Sequence, residues 1–168
     1  MAHAAVSDGS IKYGKVHYII RSRLHAGLRR GTMHVGSVAD DERLKMILPS
    51  ACCYCGVREG LSLDHLLPKS KGGPDKGDNI VWACRSCNSS KGGRDVLEWL
   101  AGEGRFPPLL LLRRYLKLAI EFCESNGHME AALDDADGQP WAFSVRAIPR
   151  KVPPPCDLVL WQAPLEAE

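Results

Sequence analysis

Residues 51–94 read ACCYCGVREGLSLDHLLPKSKGGPDKGDNIVWACRSCNSSKGGR, and their cysteines decide how the rest of the chain is read. Cys52 and Cys55 make one C-x-x-C pair, and Cys84 and Cys87 make another. Two such pairs bring four thiolates together in the tetrahedral arrangement of a closed structural zinc site. Cys53 offers only the poorer spacing Cys53-x-Cys55, so the expected ligands are Cys52, Cys55, Cys84 and Cys87. Disulfides are the weaker reading, because residues 1–10 lack the basic start and apolar run of a secretory signal. Cys123 and Cys156 stand apart and read as small buried hydrophobes. The 28 residues between Cys55 and Cys84 exceed the spacing of a plain zinc ribbon, so a sizeable insert separates the two knuckles.

Inside that insert, residues 61–66 alternate as a strand does, and Pro68 stops them. Residues 68–78, PKSKGGPDKGD, are a loop by composition. Residues 79–83, NIVWA, read as a second strand, giving an antiparallel hairpin around the loop, and a helix is expected from about Cys87. Four polar residues stand out on these elements: Asp64, His65, Asn79 and Asn88. A lone histidine on a strand is ordinarily a satisfied polar residue. Beside Asp64 and between two metal knuckles, His65 fits that bland reading poorly. Neighbours on a regular strand face opposite ways, so Asp64 and His65 can share a site only where the strand bends or ends.

Outward from this core, residues 17–30 carry Ile19, Ile20, Leu24 and Leu28 at helical spacing, with arginines alongside and Gly31 as the stop. Residues 40–48 suggest a second short helix with acids in its first turn. After the core, helices are expected at residues 95–100 and from Pro107-Pro108 to about Glu124, ended by Asn126-Gly127. In the longer one Leu112, Leu116, Ala119 and Cys123 mark an apolar face, and Arg113, Arg114, Lys117 and Glu121 a polar one. The segmentation is therefore a basic helical region over 1–50, the core over 51–94, packing helices over 95–130, and an acidic, Pro-rich tail over 131–168. Short strands are expected in that tail at 141–146 and 157–161.

The chain has 168 residues, 45% hydrophobic and 25% charged, which excludes a wholly disordered protein. Its strongest apolar run, residues 109–112, meets Arg113 and Arg114 far short of a bilayer span, so no membrane partner and a cytoplasmic location are expected. Net charge is only +2, but no acid occurs from Gly9 to Ala39, where Lys12, Lys15, Arg21, Arg23, Arg29 and Arg30 fall. So lopsided a segment in a near-neutral chain suggests a polyanion-facing surface, with a solvated helix face as the plain alternative.

Three motifs in order, CCYCG at 52–56, LDHLLPKSKGG at 63–73 and DNIVWACRSCNSSKG at 78–92, resemble those of the four-cysteine zinc branch of the HNH endonucleases, also called ββα-metal or His-Me finger nucleases. The resemblance covers about a quarter of the chain and is specific because several short motifs agree in register. It implies an α+β fold: a small zinc-pinned ββα core flanked by N-terminal and C-terminal helices. It also implies a metal-dependent DNA endonuclease that acts on double-stranded DNA and leaves 5′-phosphate ends. By the same resemblance His65 is the general base for an attacking water, and an imidazole suits that task near neutral pH. Asp64 and Asn88 are the oxygen ligands of a catalytic Mg²⁺ or Mn²⁺, and Asn79 orients His65 across the loop.

The family name implies His-Asn-His. Here Asn88 stands where the last histidine is expected, which favours hard cations over softer ones. Lys69, Lys71, Arg85, Lys91 and Arg94 flank the site as phosphate contacts, and Arg21, Arg23, Arg29 and Arg30 form a separate cluster for gripping duplex backbone. The competing readings, both without nuclease activity, are a zinc-knuckle nucleic-acid-binding module, which would have no use for Asp64, His65 and Asn88 together, and a structural or regulatory zinc domain with a decayed nuclease site, which the fold alone does not distinguish.

Overall fold

The computed structural model describes residues 15–30, 50–132 and 141–162. Helix α1 spans Lys15–Arg30. Strand β1, Leu61–His65, pairs antiparallel with β2, Ile80–Cys84, in a register that sets Leu61 opposite Cys84 and His65 opposite Ile80. Helix α2, Arg85–Lys91, follows β2 directly; α3 spans Val96–Gly102 and α4 spans Leu109–Asn126. Among the described residues this hairpin is the only sheet, and the architecture is α+β with a ββα unit at its centre. No described helix is long and apolar enough to cross a membrane. The helix expected at 40–48 lies outside the described residues.

The expected faces of α1 and β1 need correction. Ile19, placed in the apolar stripe, is exposed, while His25 is buried. On β1 the alternation runs backwards from ordinary amphipathic logic: Leu63 is 57% exposed and Asp64 only 6%. Leu63 lies opposite Trp82, so the outer face carries a cross-strand apolar pair of the kind that stabilises two-stranded ribbons. The inner face is left to Ser62 and Asp64.

The loop between the strands is built, not slack. Pro68 opens a short 3₁₀ turn at Lys69–Lys71, closed by Gly72 at φ +89°. A Cβ on Gly73 would lie 2.2 Å from the Leu67 carbonyl oxygen, so the Gly-Gly pair is a steric requirement. Asn79 is fully buried; its Oδ1 accepts from the Leu67 amide, and its Nδ2 donates to the carbonyls of Leu67 and Pro74, all at 2.8 Å. One amide side chain thus clamps both ends of the loop.

Helix α4 supports that loop from behind, which corrects the polar face expected for it. Arg113, Arg114 and Lys117 are buried, and the Arg114 guanidinium donates to the carbonyls of Gly77 and Asp78. Gly127, at φ +70°, ends the helix, as the sequence pattern expects.

Within the expected tail, the described residues 141–162 form no strand. Residues 141–162 contain turns and one 3₁₀ turn, Pro155–Asp157, and they pack on the helices as a strap. Leu158 and Leu160 bury themselves against Leu109, while the carbonyls of Val159 and Leu160 accept from the Leu109 and Leu110 amides. Those amides are among the first-turn donors that a helix cannot satisfy internally. The strap's carbonyls are therefore used on α4, and a strand ladder has no partner there.

Asp95 ties three elements together. Fully buried, it caps α3 through the Leu97 and Glu98 amides, and its Oδ2 accepts from Tyr115 Oη at 2.6 Å and from the Ser144 amide at 3.1 Å. Burial pushes its carboxyl above the usual range, with the Tyr115 hydroxyl acting in the opposite direction. Removing it deletes a cap and takes the acceptor from the buried Tyr115 hydroxyl, while the Ser144 amide keeps Tyr115 Oη at 3.0 Å, so Asp95→Ala is expected to destabilise the fold by about 2–4 kcal/mol. Urea denaturation measures this, and an unchanged midpoint would contradict it.

Candidate metal centre and active site

Cys52, Cys55, Cys84 and Cys87 converge with all four sulfurs within 4.8 Å of one another. Zinc–sulfur bonds of about 2.3 Å in a tetrahedron imply sulfur–sulfur edges of about 3.8 Å, and Cys55 Sγ to Cys84 Sγ is 3.7 Å. The donor set and spacing fit a closed structural zinc site. Backbone hydrogen bonds fold the first knuckle: Cys52 N to Val57 O and Gly56 N to Cys52 O, each 2.8 Å. Cys53 N to Trp82 O, at 2.9 Å, then docks that knuckle against β2. In the second knuckle the Cys84 sulfur accepts from the Cys87 amide at 3.4 Å, so one residue belongs to the cluster and is also the N-cap of α2.

Burial pushes the Cys55 thiol up to about 11 and raises Cys87 as well, whereas the Cys87 amide holds Cys84 down. A divalent metal makes four neighbouring thiolates compatible. Cys53 stays outside the cluster as a thiol, raised chiefly by burial.

Asp64 faces inward beneath α2. Its Oδ2 accepts from Tyr54 Oη at 2.7 Å, and its Oδ1 pairs with Lys91 Nζ at 3.0 Å, with both partners buried. Asn88 stands one turn before Lys91 on the same helix and donates through Nδ2 to Ser62 Oγ at 2.9 Å and Leu63 O at 3.2 Å. Oδ1 of Asn88 has no protein donor among the described residues, and each carboxylate oxygen of Asp64 keeps a second lone pair. Hard oxygen donors of this kind suit Mg²⁺ or Mn²⁺.

His65 ends the strand on the opposite face, one quarter exposed, with Nε2 2.9 Å from Asp75 Oδ1. Lys69 Nζ takes the other Asp75 oxygen at 2.6 Å. Lys69 first, and His65 after it, hold the Asp75 carboxyl below the usual range, so it is an anion at neutral pH. Asn79 does not touch the His65 ring in any described contact. It pins the Pro74 carbonyl, and the next residue, Asp75, holds the imidazole. Orientation of His65 from across the loop is thus indirect.

Sequence reading missed Asp75, Tyr54 and the burial of Lys91. Asp75 was visible only as one more polar residue of a loop, and Tyr54 as the spacer of a C-x-x-C pair. Lys91, expected as a surface phosphate contact, is 1% exposed and neutralises Asp64. Its spacing of three residues from Asn88 is the signal that both lie on one helix face.

The other basic residues are on the surface but several are engaged: Lys69 with Asp75, Lys71 with Glu98, and Arg94 with the carbonyls of Ser90 and Lys91. Arg85 is exposed at the start of α2, and Arg23, Arg29 and Arg30 are exposed on α1. The side chain of Arg21 lies outside the described residues.

A hairpin and helix are joined by a four-cysteine cluster, with Asp64 and His65 closing the first strand. Residues 52–94 match the family model described as HNH endonuclease, so the chain carries an HNH segment running from the first knuckle past the end of α2. The match supports a nuclease-type function and a nucleic-acid substrate in general. No curated protein and no solved structure matches the chain.

Metal analysis of the purified chain is expected to find one tightly held zinc. Structural zinc contributes on the order of 10–16 kcal/mol of apparent binding free energy. Cys84→Ser, which removes a ligand and the α2 cap together, is therefore expected to abolish cooperative folding. A near-native thermal melt of that variant by circular dichroism would refute the structural role of the cluster.

Proposed function

We propose that the chain is a metal-dependent DNA endonuclease that hydrolyses phosphodiester bonds in double-stranded DNA. In this reading Cys52, Cys55, Cys84 and Cys87 hold a structural zinc, while Asp64 and Asn88 hold a catalytic Mg²⁺ or Mn²⁺. The observation that carries it is the contact of Asn88 with Ser62 and Leu63, which brings the amide of α2 onto the strand that ends in Asp64 and His65. A bound hard cation would supply charge stabilisation at the scissile phosphate and the departing 3′ oxygen.

His65 takes the proton of the attacking water. With Nε2 facing Asp75, the ring is oriented and Nδ1 is left as the basic nitrogen. Lys69 keeps Asp75 in place and charged, and Asn79 holds the loop that presents it. Arg85, exposed at the start of α2, contacts backbone phosphate near the site in this reading, whereas Arg23, Arg29 and Arg30 on α1 contact the duplex elsewhere.

One observation favours the rival reading of a nucleic-acid-binding module without cleavage: Lys91 already neutralises Asp64. Supercoiled plasmid incubated with Mg²⁺ or Mn²⁺, with and without EDTA, separates the two. Cation-dependent nicking is expected. His65→Ala should lower its rate by about 10²–10⁴-fold while zinc content and DNA binding persist. Undiminished cleavage by that variant would remove His65 from the role of base. Asp75→Asn is expected to reduce kcat by roughly 10-fold or more through loss of ring orientation, and equal kcat would return Asp75 to the ordinary surface. Replacing Arg29 and Arg30 together by Ala should weaken DNA binding and flatten its dependence on salt; an unaltered slope would place α1 away from the duplex.

A further inference from the structure

We infer that Tyr54 is a positioning residue that fastens the carboxylate of Asp64 to the cysteine knuckle and so sets how well that carboxylate receives a cation. The inference rests on the reading of Asp64 as a cation ligand. Tyr54 is fully buried and sits between Cys52 and Cys55, so its backbone is held wherever the knuckle is held. Its carbonyl accepts from the Arg105 guanidinium, and its ring meets Trp99 edge-on with centroids 4.9 Å apart. A phenol anchored at both the backbone and the ring has little freedom to follow its partner. The 2.7 Å bond to Asp64 Oδ2 therefore directs the carboxylate rather than the reverse.

The two donors on Asp64 do different work. Lys91 brings a positive charge to Oδ1 and competes electrostatically with any incoming cation. Tyr54 brings a fixed direction and no charge, and leaves the second lone pair of Oδ2 free. Neutral hydrogen-bond donors behind a ligating carboxylate characteristically change metal affinity by 10–100-fold. Because the donor here belongs to the knuckle, the thiolate site and the oxygen site share one rigid connection, and loosening the first misdirects the second.

The test uses the full-length, zinc-loaded chain in the His65→Ala background, where cation binding is measured without turnover. Mn²⁺ binding is followed by electron paramagnetic resonance. Adding Tyr54→Phe, which keeps the ring against Trp99, is expected to raise the apparent Mn²⁺ Kd by about 10-fold or more with zinc content and thermal midpoint retained. A purely structural tyrosine would leave that Kd alone, so a value within twofold of the parent overturns the proposal. Asp64→Ala, in the same background, should lose Mn²⁺ binding; if it does not, Asp64 is not the cation ligand and the underlying reading fails first. Should Tyr54→Phe not fold, ¹³C-tyrosine NMR of the parent decides. The Tyr54 ring resonance should move on Mg²⁺ addition, and a resonance that stays fixed at saturating Mg²⁺ overturns the proposal.

Discussion

Four sulfur atoms drawn within 4.8 Å of one another are the constraint on which the ββα unit depends. A two-stranded ribbon is marginal in water, and here its strands are five residues each with an outer face that buries little. The cluster closes the open end of that ribbon, because Cys84 ends β2 opposite Leu61 while Cys52 and Cys55 precede β1. The same cysteine starts α2, so the position of Asn88 and Lys91 over the strand is inherited from the ligand geometry.

At the other end of the hairpin the constraint is made of hydrogen bonds. Asn79, Asp95 and Arg114 each satisfy backbone groups from distant segments, and all three are buried. Buried polar groups of this sort are tolerated only when their partners are in place, which gives the loop one conformation rather than several. The imidazole of His65 and the carboxylate of Asp64 are consecutive in sequence yet belong to different environments. One is partly open to solvent with an acidic neighbour; the other is enclosed with a phenol and an ammonium.

What the sequence made legible were features with local causes. The C-x-x-C spacing named the four cysteines that converge. Prolines, glycines and β-branched runs placed β1, β2, α3 and α4 to within a few residues of their observed ends, and Gly127 marked the stop of α4. Features with distant causes were hidden. Asp64 turns inward because Tyr54 and Lys91, ten and 27 residues away, await it. Arg113, Arg114 and Lys117 look like a solvated stripe in the sequence, yet all three are buried and Arg114 meets the loop carbonyls. Asp75 could be singled out only once the loop was folded back on His65. The strand-like stretches at 141–146 and 157–161 form no strands because their backbone serves α4 and α3 rather than a neighbour of their own.

That last arrangement has a consequence for synthesis. Leu109 and Leu110 are translated some fifty residues before Val159 and Leu160, whose carbonyls receive their amides. At roughly 5–20 residues per second on a ribosome, α4 emerges several seconds ahead of its closing segment. The cysteine unit and the asparagine-clamped loop come out earlier still, with nearly all of their partners already made. The segment that closes the first turn of the loop-bracing helix is thus made after the unit that helix braces.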